Sequence, residues 1–207
     1  MMREISGDWD EMADFAKLVT GESVDMQPEH FLQDAVHQFR KLKELADRAV
    51  AQVADEDLFA TLDEEANSIA IIMKHMAGNM RSRWMDFLTS DGEKPDRHRD
   101  SEFVIEAGDT KDGILERWEA GWRCVFETLA PLAAEDLSRT VLIRGELHSV
   151  IEAINRQLTH YAYHIGQIVL LAKHLAAGRW QSLSIPRGKS EEFNAVMRKK
   201  QWPDDGT

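Results

Sequence analysis

The chain has 207 residues and a single cysteine, Cys124. One thiol excludes an internal disulfide and any zinc site built on paired cysteines, and it fits a reducing compartment. Basic residues are also scarce: 25 Lys and Arg stand against 37 Asp and Glu, a net charge of −12. No basic stripe is visible, so neither a nucleic-acid backbone nor an anionic membrane surface is expected as a partner; both require a cationic footprint. No apolar run approaches about 18 residues, and the N-terminus shows no charged-then-apolar leader pattern. A cytoplasmic protein is the expectation. The rest of the composition, 43% hydrophobic and 30% charged, is that of a globular protein. Its length favours one domain over residues 1–207, with a real core.

Apolar residues recur at helical spacing in four long segments. Helix one starts at Pro28, whose missing N–H suits a first helical position. It carries Phe31, Ala35, Phe39, Leu42, Ala46, Ala49 and Val53 on one stripe. Helix two runs from about Asn67 to Leu88 and buries Ile69, Met73, Met76, Met80, Trp84 and Phe87. Helix three spans about Lys111 to Leu132, with Ile114, Leu115, Trp118, Trp122, Val125, Phe126 and Leu129 inward and Cys124 off the stripe. Nothing near Cys124 would depress its pKa, so it reads as inert. Helix four opens with a Ser149-Val150-Ile151-Glu152 capping box, continues to about Ala177 and stops at Gly178, a suitable C′ residue.

This is an all-α pattern, a four-helix bundle with short N- and C-terminal extensions. Residues 28–178 form the core, 1–27 an N-terminal extension and 179–207 a tail. Trp9, Met12, Phe15, Ala16 and Val19 fit a short docking helix in the first extension, and residues 190–200 a short helix in the tail. Thr89 to about Asp109 is polar and carries turn signals at Asp91-Gly92 and Lys94-Pro95. At about twenty residues it exceeds a usual helix–helix connection of about 2–8. A long crossover that starts helix three parallel to helix two explains the length, and a lid over a site is the other explanation. The expected character is a solvated crossover with incidental charges. Before helix four, the β-branched run ending at Gly145 suits a short extended segment.

The chemistry-bearing residues sit beside these stripes. His160 and His164 are four apart and leave one face of helix four, a ready pair for a transition metal. The metalloprotease reading of that spacing fails, because Tyr161 stands where the glutamate base would be. Arg156, Gln157, His160, His164 and Gln167 form one strip of helix four, which holds no carboxylate. On helix two, Ser68, Ile72, His75, Asn79, Ser82, Arg83 and Asp86 share a flank. His75 could complete a three-histidine site if the two helices face each other. His30 and His37 fall on the solvated side of helix one. From spacing alone, a metal site and three unrelated helix-flank histidines both remain open.

The segments Asn67-Ser68-Ile69-Ala70, Lys74-His75-Met76, Gly78-Asn79-Met80 and Ser82-Arg83-Trp84 carry a resemblance. So do Asp91-Gly92-Glu93-Lys94, Arg99-Asp100-Ser101-Glu102-Phe103 and His160-Tyr161-Ala162-Tyr163-His164-Ile165-Gly166-Gln167-Ile168. Over about residues 28–178 the chain resembles an uncharacterised branch of the DinB-like superfamily, the damage-inducible bacterial bundles rather than the polymerase of that name. The resemblance implies a crossover bundle, a homodimer, and one divalent metal held by His75, His160 and His164. Characterised relatives include transferases and isomerases that use low-molecular-weight thiols such as bacillithiol and mycothiol with zinc or a similar ion. Many members have a further histidine just before the last one, a place taken here by Tyr163.

The resemblance, taken with the three histidines, implies a first expectation: a zinc- or nickel-dependent transferase acting on a small molecule with a small thiol. Asn79, Arg83, Arg156, Gln157, Tyr163 and Gln167 would touch substrate or steady the ligands, and Arg83 with Arg156 could clamp a carboxylate. A metal-dependent hydrolase, a non-enzymatic metal-binding stress-response protein and a plain bundle are the alternatives.

Overall fold

The computed structural model describes residues 28–201. The helix expected around Trp9 to Val19 lies outside them. Among the described residues there are five α-helices: α1 (Pro28–Val50), α2 (Ile69–Trp84), α3 (Lys111–Leu129), α4 (Val150–Ala176) and α5 (Ser190–Gln201). The first four make the bundle, and α5 is the tail helix expected from the sequence. The chain is mainly helical rather than all-α, because Thr140–Ile143 (β1) and Glu146–Ser149 (β2) form a two-stranded antiparallel hairpin.

Side-chain contacts fix the directions of the helices. Gly121 lies against Ala77 and Met80, and Thr128 Oγ1 donates to the Trp84 carbonyl, so α2 and α3 run parallel. Phe39 meets Trp122 while Trp118 Nε1 donates to Asp47, which makes α1 antiparallel to α3. α4 runs with α1 and against α2, for Phe39 meets Tyr161 while His75 meets His164 and Trp84 meets Tyr161. The parallel α2–α3 pair is what the long connection makes possible.

Phe39, Trp84, Trp118, Trp122 and Tyr161 fill the centre, each no more than 1% exposed. Their rings meet mostly edge-on or tilted, as aromatic quadrupoles favour. Ser68 caps α2 by accepting from Ile71 N–H, and Ser149 and Glu152 form the expected capping box on α4.

Three boundaries differ from expectation. α2 ends at Trp84 rather than Leu88, because Asp86 turns left-handed (φ 50°) and its carbonyl accepts the Thr89 and Ser90 N–H groups. α4 does not use Gly178 as its left-handed stop. Ala177 takes the positive φ (47°), and a 3₁₀ turn over Ala177–Arg179 brings Trp180 back against the core. α3 closes at Leu129 rather than Leu132. The hairpin turn is Arg144-Gly145, both residues with positive φ (57° and 76°), the two-residue geometry that suits strand twist.

Candidate metal centre

Tyr161 sets the rotation of α4. It is fully buried, accepts a hydrogen bond from Trp84 Nε1 at 2.9 Å and donates to Asn79 Oδ1 at 3.3 Å. Burial drives its phenol pKa well above the usual value, so the hydroxyl stays protonated and donates. With Tyr161 turned inward, its neighbours on the wheel, His160 and His164, face the flank of α2. Asn79 is one turn beyond His75, so the Asn79–Tyr161 bond aligns the two helices beside the histidines.

There the three imidazoles converge. Ring centroids are 5.5 Å apart for His75 and His160, 5.0 Å for His75 and His164, and 4.7 Å for His160 and His164. One ring nitrogen from each lies within 4.8 Å of the others. Nitrogens around a tetrahedral ion stand about 3.4 Å apart, given metal–nitrogen bonds of about 2.0–2.1 Å. Small side-chain rotations cover that difference.

Two of the rings are held from behind. His75 Nδ1 donates to Glu102 Oε2 at 2.9 Å, and Arg97 grips the same carboxylate through Nε (2.8 Å) and Nη2 (2.9 Å). Burial works against the Glu102 charge, but the bonds from His75 and Arg97 outweigh it and hold its pKa below the ordinary value. His164 Nδ1 donates to Gln167 Oε1 at 2.8 Å, while Gln167 Nε2 donates to Tyr163 Oη at 3.3 Å and so fixes the amide's direction. In both rings Nδ1 carries the proton, which leaves the Nε2 lone pair for a ligand. Burial, then the charges of His164 and His75, push the His160 pKa down to about 3; burial lowers His164 as well. Neutral imidazole is the ligating form, so this donor set fits a divalent ion.

The histidines open on a cavity of about 410 Å³. Of the residues expected to serve the site, Asn79, Arg83, Arg156, Gln157 and Tyr163 line it. Gln167 does not line it and acts through His164. Arg83 is already engaged, by the Gly92 carbonyl and by Glu93 at 3.0 Å. A second cavity of about 430 Å³ between α2 and α3 is mainly apolar and contains no histidine. Cys124 lies there, half-buried, and burial raises its thiol pKa, which agrees with an inert thiol.

The connection between α2 and α3 is largely exposed, as expected from its composition, but its charges are not incidental. A short 3₁₀ turn, Arg99–Phe103, lies on α2, stacks Phe103 4.7 Å from His75 and buries Glu102 to 7% exposure. Glu102, Arg97, Arg99, Phe103 and Arg144 were not singled out as site residues in the sequence. One signal was present. Gly78 interrupts a helix where glycine is costly, and a Cβ there would overlap Glu102.

No helix among the described residues is long and apolar enough to cross a membrane. Among curated proteins, none matches this chain. A family profile does match, over residues 27–189, which takes in all four bundle helices and every site residue named above. The chain belongs to the family described as "Protein of unknown function (DUF1572)".

Proposed function

We propose that this is a DinB-like metal-binding protein that holds one divalent ion, zinc or nickel, on His75, His160 and His164. In this reading it acts as a metal-dependent transferase joining a low-molecular-weight thiol to a small molecule. The observation that carries the reading is the convergence of three imidazoles at the mouth of a cavity. Three protein ligands leave room for an exchangeable one, the pattern of catalytic rather than structural sites. A bound ion would supply Lewis acidity, lowering the pKa of a thiol or water held beside it.

The chain's own residues favour the thiol. No Asp or Glu lines the cavity, and the nearest buried carboxylate, Glu102, is occupied by His75 and Arg97. A hydrolase that needs a carboxylate base has none positioned here. Loss of a thiol proton to solvent requires no such base.

Elemental analysis of the native protein, with a thiol-conjugation screen on the metal-loaded form, tests the reading. About one ion per chain is expected in wild type, lost in His75→Ala, His160→Ala and His164→Ala. Wild-type protein that purifies metal-free and takes up neither Zn²⁺ nor Ni²⁺ would sink it. Stoichiometric metal without thiol-dependent turnover would replace the transferase with a non-catalytic metal-binding role. The homodimer in this reading is checked by sedimentation.

A further inference from the structure

Five arginines, Arg83, Arg97, Arg99, Arg144 and Arg156, line the histidine cavity, and no Asp or Glu does. The protein as a whole carries a net charge of −12, so this wall runs against its overall electrostatics. Three of the five are engaged. Arg83 and Arg144 share Glu93, at 3.0 and 2.9 Å, and Arg99 lies 4.8 Å over the Phe103 ring and 3.7 Å from exposed Asp100.

The other two have capacity left. Arg97 places Nε and Nη2 on Glu102, but its Nη1 is buried without a hydrogen bond and reaches Glu93 Oε1 only at 3.6 Å. That side chain is 4% exposed. Arg156 makes no hydrogen bond or ion pair among the described residues. Beside it Gln157 is 3% exposed, and its Oε1 also has no partner. Buried polar groups are nearly always paired, so unpaired ones lining a cavity mark the places a ligand fills.

The hairpin turn adds to this wall. Asp91 accepts the Arg144 and Gly145 N–H groups at 2.8 and 2.7 Å, holding Arg144 in a left-handed backbone that side chains rarely adopt.

We propose that this arginine wall is an anion subsite: Arg97 Nη1 and Arg156 bind a carboxylate or phosphate oxyanion of the substrate, and Gln157 Oε1 takes a hydrogen-bond donor on the same molecule. The inference rests on reading this cavity as the substrate site. Guanidinium N–H groups match a pair of oxygens on either anion, whereas a neutral substrate would leave the wall uncompensated.

Calorimetric titration of the full chain tests it at low salt, where such contacts are least screened. Succinate, L-malate and inorganic phosphate are the probes, with neutral succinamide as control, each on chelator-treated and zinc-loaded protein. Succinate or phosphate is expected to bind the chelated protein while succinamide does not. Arg156→Gln and Arg97→Gln should each weaken that binding about tenfold or more. Preference for succinate over phosphate, or the reverse, identifies the anion, and tighter malate than succinate supports the Gln157 contact. If Arg97→Gln fails to fold, the exposed Arg156→Gln still decides.

Anion binding that appears only with zinc and is unchanged in Arg156→Gln would overturn the subsite while leaving the metal reading intact. No binding of any anion at about 10 mM would overturn it too. Binding through Arg156 in a protein that takes no metal would support the subsite and sink the metal reading.

Discussion

At Gly78 the helix gives up a side chain so that Glu102 can lie against it. A Cβ there would overlap Oε1 and come within 2.7 Å of Cδ, and the carboxylate is pinned on its far side by Arg97. Gly166 on α4 is the opposite case, with no atom within 4 Å of the same added methyl group. Glycine in a helix interior costs about 0.5–1 kcal/mol relative to alanine, so Gly166→Ala should raise stability by up to that amount. Gly78→Ala should instead displace Glu102 and free His75 Nδ1, weakening metal affinity about 10–100-fold in a competition titration. Wild-type affinity in Gly78→Ala would mean that Glu102 does not steady His75. The other residue-scale expectation concerns protons. His160, pushed down to about 3, and His164, also lowered, sit below the unfolded histidine value of about 6.5. As pH falls, the unfolded state therefore takes up protons first, so this stability is present above about 6.5 and is lost on acidification. Asp91, Glu93 and Glu102 are lowered too, but their unfolded references lie near 4, leaving the window above about pH 5 to the imidazoles. Chelator-treated protein should show a melting temperature that is flat above pH 7 and declines from 6.5 to 5. His160→Gln should flatten that decline; an unchanged slope would remove His160 as its source.

Between α2 and α3, and again at the hairpin, the chain does what periodicity does not announce. The four bundle helices were legible because a stripe such as Ile69, Met73, Met76, Met80 and Trp84 repeats with the helical turn, and all five residues are buried. The Ser149–Glu152 cap was legible for the same local reason. The wheel put His75 on a flank of one helix and His160 with His164 on a flank of another; that the two flanks meet was implied by the resemblance, not by spacing. Glu102 could not be placed by the wheel, since its bond to His75 spans 27 residues and joins a helix to an irregular loop with no repeat to follow. Nor did β2 stand out, for four residues running into a helix cap are too short for an alternating pattern. The hairpin is joined to the loop by Asp91, whose carboxylate accepts N–H groups of Glu93, Arg144 and Gly145, and by Gly92 N–H on the Leu142 carbonyl at 2.7 Å. Asp91→Ala removes three of these four bonds. Because the carboxylate is partly solvated, the expected loss is about 1 kcal/mol, read from the midpoint of chemical denaturation. A larger effect should appear at the cavity, where Arg144 would no longer be held in its left-handed turn. Denaturation unchanged by Asp91→Ala would show that the hairpin stands without the Asp91 bonds.

For the molecule as a whole, the question is how far the fold depends on the ion. The central cluster of Phe39, Trp84, Trp118, Trp122 and Tyr161 contains none of the three histidines, and each aromatic is buried by contacts among the bundle helices. Truncating a single buried ring of this size typically costs about 3–5 kcal/mol, so the core is a larger source of stability than one ion pair or hydrogen bond. The histidines lie at the edge of that core, where His160 and His164 retain partial exposure. Metal removal should therefore lower stability without dissolving the bundle. With free zinc at about 100 times its Kd, binding contributes about 2.7 kcal/mol. For a chain of this length, each kcal/mol moves the melting temperature by about 2–4 °C, so chelation should lower it by about 5–10 °C. The far-UV helical signal at 25 °C should be unchanged. His160→Ala should melt near the chelated value and no longer respond to zinc. Loss of the helical signal on chelation would mean that the ion is structural, and the catalytic reading would fall with it. A wild-type melt that does not move when zinc is added would remove the ion from the site altogether.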